Sequence, residues 1–200
     1  MDEIVQQALA KWPNVPHCYG WLALDARGAW RMRDERAQHF KLPGDKLTQP
    51  ALLGFINRNY AADERGCWFF QNGPQRVYLE LEATPYIART DPQQGLLLQT
   101  GEAMGTPEAV FLTELGELLV QGGGKVAQLD DRDVAQLLAM LENAGQRASD
   151  EQVLDWLAGA NHALALRFGG QLLPLQRLAR AGIAERFGFV RQPTSSSRCP

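Results

Sequence analysis

Cysteine, histidine and lysine are scarce in this 200-residue chain, and each scarcity removes a class of function. The three cysteines, Cys18, Cys67 and Cys199, are odd in number and widely spaced, with no CxxC. That excludes a disulfide framework or a thiolate zinc site and points to a reducing, cytoplasmic setting. Cys18 follows His17, but neighbours on a strand point to opposite faces, so the pair does not read as an activated thiol. His17, His39 and His162 form no HxH, HxxxH or HxxE pattern, and no metal or cofactor is expected. No run approaches the ~20 apolar residues of a membrane-spanning helix, and no signal peptide is expected. Lysine is confined to Lys11, Lys41, Lys46 and Lys125, and the net charge of −3 does not suit the chain as a whole to nucleic acid.

Catalytic signatures are missing as well. There is no GxSxG. The run Gly122-Gly123-Gly124-Lys125 follows a strand and precedes a helix, where amides could cradle a phosphate. Leu119 and Val126 stand where a phosphate loop needs Gly and Ser or Thr, so the run reads as a turn. Asp130, Asp131 and Asp133 could offer hard oxygens to a divalent cation, but acids in the first turn of a helix already favour its dipole.

What the chain does contain is a repeated pattern. The hydrophobic fraction of 45% and charged fraction of 22% suit a globular protein with a sizeable core. Asp2 begins a short helix that Pro13 ends. Residues 15–34 read as a hairpin turning at Asp25 to Gly28, followed by a polar loop over 38–45. Thr48 is expected to cap a helix with Pro50 in its first turn and Leu52, Phe55 and Ile56 on its buried face. Strands then flank Asn72-Gly73, with Val77, Leu79 and Leu81 on one face and Tyr78, Glu80 and Glu82 on the outward one. The order returns around Gly116: a hairpin, a helix opened by Asp130, and a strand pair turning at Gly169-Gly170. An extra helix with a Ser149/Gln152 capping box lies before that last pair. Residues 178–187 are ambiguous. The expected fold is therefore α+β: two related hairpin-helix-hairpin halves, with mainly antiparallel sheet packed against helices. The halves are residues 1–91, with an N-terminal helix, and 92–193, before a disordered tail at 194–200.

Two segments carry a resemblance. Arg27-Gly28-Ala29-Trp30 is similar to a hairpin motif of Asp-Gly-x-Trp type, with Arg27 in place of the acid. Val77 to Ala88 is similar to a segment of Val-Glu-x-Ala-Pro-Phe-Val-Ala type. Over residues 20–90 the chain thus resembles an uncharacterised bacterial family of unknown function. The resemblance implies a mixed fold of repeated hairpin-helix units with a signalling or ligand-sensing role.

From the residues themselves, the expected function is a non-catalytic ligand-binding or regulatory module. Its site is a groove beside Trp30, Glu80, Glu82, Pro85 and Tyr86. Pro85 stiffens the turn that presents Tyr86 beside two carboxylates, an arrangement suited to a cationic or amide-bearing ligand. An enzyme of unrecognised type is the alternative. The third reading is a nucleic-acid surface formed by Arg167, Arg177, Arg180, Arg186, Arg191 and Arg198. A small molecule, a protein or a second copy of the chain are the partner classes left open.

Overall fold

The computed structural model describes residues 1–196; Arg198, Cys199 and most of the expected tail lie outside them. Contacts divide the chain into two compact units. The first comprises Met1–Pro85, Gln99–Gly101 and the segment from Ala184 onward, and the second Tyr86–Leu98 and Glu102–Ile183. The expected division after residue 91 is therefore displaced. Strand β7 (Tyr86–Asp91) pairs in parallel with β11 (Lys125–Leu129) of the second unit, a long-range choice that no local pattern announces.

In the first unit, α1 (Glu3–Lys11) precedes β1 (Cys18–Leu24) and β2 (Trp30–Met32). Then come α2 (Glu35–His39), β3 (Asp45–Lys46), α3 (Pro50–Arg58), β4 (Tyr60–Ala62), β5 (Trp68–Asn72) and β6 (Gln75–Leu81). The sheet order is β3-β2-β1-β6-β5-β4. All neighbours are antiparallel except β1 and β6. Leu22 and Leu24 pair with Leu79 and Leu81 across that parallel seam, forming one buried apolar face. Ile56 of α3 is buried, and Phe55 meets Phe70 edge to face at 5.3 Å. The helix starts after Gln49 rather than Thr48, with no side-chain cap. Asp2 likewise makes no side-chain cap for α1. Its carboxylate takes Arg58 Nε at 3.2 Å, and its amide donates to Asn59 Oδ1 at 2.8 Å.

In the second unit, β7 and β8 (Gly95–Leu98) are followed by β9 (Ala109–Leu112), β10 (Leu118–Gly122), β11 and α4 (Asp131–Leu138). The rest are β12 (Leu141–Asn143), β13 (Gln146–Arg147), α5 (Asp150–Leu157), β14 (Leu164–Phe168) and β15 (Gln171–Arg177). The sheet runs β13-β12-β14-β15-β9-β10-β11-β7-β8. Its stretch β11-β10-β9-β15-β14-β12 reproduces the first sheet strand for strand, again with one parallel seam, between β9 and β15. In each sheet a helix, α3 or α4, joins the strand at one end of this series to the strand at the other. The glycine run is tighter than expected. Gly123 and Gly124, at φ +56° and +71°, make the two-residue turn of the β10–β11 hairpin, whose twist requires positive φ at both central residues. The Ser149/Gln152 capping box opens α5 as expected. Val110, Leu112, Leu118, Val120 and Leu137 contribute to the core.

The ambiguous stretch forms a 3-10 turn (Arg180–Gly182) leading into α6 (Ile183–Arg186). The chain then rejoins the first unit. Phe189 is buried, Val190 bridges Cys67, and the Leu81 amide donates to Arg191 O at 2.8 Å. The fold is α+β, with two mostly antiparallel sheets. Among the described residues no helix is long and apolar enough to cross a membrane.

Candidate functional site

Alternation along β1, β2 and β6 builds two very different sheet faces. Ala23 pairs with Arg31 on one side and Glu80 on the other, so a methyl lies between a cation and an anion. The small side chain leaves a depression, and a pocket of about 420 Å³ opens over it. Its charged lining comprises Asp25, Arg31, Arg33, Lys41, Glu80 and Glu82, with Gln38 and Gln192 adding amides.

The hairpin turn holds one wall. Asp25 Oδ1 accepts from the amides of Arg27 and Ala29 at 3.0 and 2.8 Å, and its Oδ2 pairs with Arg31 Nε at 2.8 Å. A carboxylate thus stabilises this turn from Asp25, although Arg27 replaces the acid of the motif. Glu82 Oε2 accepts from the Ala26 amide at 3.0 Å. The opposite wall is the loop after α2, whose start Asp34 caps by accepting from Ala37 N at 2.7 Å. Lys41 sits there at φ +53°, a left-handed conformation that a side chain rarely adopts. Gly44, at φ +83°, lies so close to β2 that a Cβ would stand 2.3 Å from Met32 O. The loop is therefore pressed onto the strand, and only glycine permits that approach. Arg33 is 6% exposed, donates to Leu42 O at 3.2 Å and pairs with Glu80.

Four of the six charges are thus matched in two ion pairs. Lys41 and Glu82 remain, with no ion-pair partner among the described residues. The lining contains no serine, threonine, cysteine or histidine; its ionisable groups are carboxylates, two guanidinium groups and one lysine amine.

The five residues expected to form the site are dispersed. Glu80 and Glu82 line this pocket. Trp30 is 2% exposed on the apolar face, its Nε1 donating to Asn57 Oδ1 at 2.8 Å. It meets Tyr60 edge to face at 5.2 Å, and the Tyr60 hydroxyl donates to Pro85 O at 2.7 Å. Trp30 and Pro85 are therefore joined through Tyr60 inside the first unit, both buried. Tyr86 belongs to the second unit, where burial, helped by Glu102, pushes its phenol up to about 12. Tyr78 is not outward-facing as expected. It is 1% exposed, stacked on Tyr19 at 4.8 Å, and its hydroxyl donates to Asp63. Sequence reasoning missed Arg31, Arg33 and Lys41. The spacing of the two arginines, two apart on an extended segment, was the available signal.

The other candidates are accounted for by local partners. Asp130 caps α4 and pairs with Arg132, while Asp133 accepts from Thr90 N at 2.7 Å. In the arginine-rich stretch, Arg167 pairs with Glu142 and Arg180 with Glu117. Arg177 donates to the carbonyls of Trp156 and Ala160, and Arg191 to Glu82 O.

No curated protein matches the chain. A DUF1285 family protein from Silicibacter pomeroyi DSS-3 superposes with a TM-score of 0.50 at 13% identity, covering 88% of this chain and 96% of that one. A DUF1285 family protein from Shewanella baltica OS155 gives a TM-score of 0.40 at 11% identity, over 58% of this chain and 88% of that one. The first likeness is one of fold. Residues 1–194 match the model of the DUF2944 family, described as "Protein of unknown function (DUF2946)", and the chain belongs to that family.

Proposed function

We propose that the protein is a non-catalytic binding module whose first unit holds a small zwitterionic molecule in the pocket over Ala23. The observation that carries this reading is the pair of charges left over there. Glu82 would take an ammonium or amide group and Lys41 a carboxylate, while the two arginine ion pairs keep the walls in place. The volume suits a free amino acid or a compound of that size. A regulatory or signalling role fits a pocket whose leftover charges are suited to holding a ligand. The thiols of Cys18 and Cys67, not joined in a disulfide, support a reducing, cytoplasmic setting. The matching strand orders support descent of both units from one duplicated ancestor.

Isothermal titration calorimetry against the free amino acids tests the proposal. At least one should bind, and Glu82→Gln and Lys41→Met should each weaken it about tenfold, roughly 1.4 kcal/mol. Glutamine at 82 retains an acceptor for the Ala26 amide, so the hairpin turn is spared. Binding of neutral sugars alone, or affinity indifferent to both substitutions, would refute the zwitterion.

A further inference from the structure

The opposite face of the same sheet carries a second cavity, of about 270 Å³, between β1, β2, β5, β6 and helix α3. Leu22, Leu52, Ile56, Phe70 and Val77 contribute apolar walls, and the lining has no charged residue. Asn72 is its one hydrogen-bonding side chain apart from the Trp21 indole and the Cys18 thiol. Trp21 and Met32 also line it, yet they are 42% and 41% exposed. Apolar surface left in water at a concave site is what a small apolar ligand would cover.

We infer that this cavity is a binding site for a neutral bicyclic aromatic molecule, independent of the charged pocket. The size supports that class. A cavity of about 150 Å³ lined by Leu, Ile and Phe takes up benzene, so nearly twice that space accommodates two fused rings. The missing charges exclude an ionic ligand, which would be desolvated without a partner. The volume is too small for a helix, whose docking needs a groove for several anchors spaced over successive turns.

Cys18 makes the site testable in the unmodified protein, because its half-buried thiol lines the cavity whereas Cys67 is 0% exposed. Alkylation of Cys18 by iodoacetamide is followed by peptide mass mapping of the full-length chain, with naphthalene as the probe. At a naphthalene concentration about ten times its Kd, alkylation should slow roughly tenfold. Free glycine, which suits only the charged pocket, should not slow it. Val77→Phe fills the cavity and should abolish the protection. Should that variant not fold, Leu52→Phe fills it from the helix side. Three results would overturn the inference: no protection up to the solubility limit of naphthalene, protection unchanged in a folded filled variant, or ligand-free alkylation that falls as protein concentration rises. The last would show a second copy covering the cavity.

Discussion

Trp30 shows how one residue's address separates a site from a core. Its position beside a turn suggests recognition, yet its indole lies on the apolar sheet face with its N–H satisfied by Asn57. Trp30→Ala should therefore cost about 3–5 kcal/mol in urea unfolding, as for truncation of a buried aromatic. A loss below about 1 kcal/mol would return it to the surface class. Tyr86 offers a pH readout. Its phenol ionises at 10.0 ordinarily and at about 12 in the fold, because burial disfavours the phenolate. The folded state thus keeps a proton that the unfolded chain has released. Stability tied to Tyr86 is intact below pH 10 and is lost as pH rises toward 12. Ultraviolet titration should show a phenol with a midpoint near 12, and Tyr86→Phe should remove that component together with its share of the alkaline destabilisation.

At the scale of elements, helix starts divide into those that local chemistry determines and those set from afar. Ser149 and Gln152 cap α5 through neighbours three residues apart, so pattern alone suffices. Asp2 precedes α1 as a cap should, but Arg58 at the end of α3 claims its carboxylate. Asp130 performs both tasks, accepting from the Arg132 amide at 3.1 Å and pairing with the Arg132 guanidinium. The guanidinium hydrogen bond, with the amide assisting and burial opposing, lowers its carboxyl from 3.8 to about 2. The folded state binds that proton more weakly than the unfolded chain, so the stabilisation is complete above pH 3.8 and fades as pH falls toward 2. Asp130→Asn should flatten the acid limb of thermal stability in that window, measured by circular dichroism melts. An unchanged limb would remove Asp130 from the account.

Across the whole molecule, the chain crosses between its units more than once. Residues from Ala184 onward complete the first unit although they follow the second in sequence. Phe189, 2% exposed, and the bridge from Val190 to Cys67 anchor that return. Phe189→Ala should destabilise the protein by about 3–5 kcal/mol. Hydrogen exchange should show the loss of protection spreading to β5 and β6 of the first unit rather than to β9 and β10 of the second. Loss of protection confined to the second unit would contradict the assignment of this segment.

The amino-acid sequence alone specified the α+β class, the hairpins at Gly28, Gly73 and Gly116, and the helices near Pro50 and Asp130. These depend on interactions within a few residues: alternation, capping, and turns that only certain residues accept. It left β3 hidden in a polar loop, because two residues carry no period. It also could not show which strands meet in parallel, since the β1–β6 and β9–β15 seams join segments more than fifty residues apart. Those seams place Ala23 between Arg31 and Glu80, bury Trp30 and Tyr78, and divide one sheet into a charged face and an apolar one. That Glu80 and Glu82 share a face was legible from alternation; Arg31, Arg33 and Lys41 came to line the same pocket only when strand pairing and the Gly44 contact brought separate segments together.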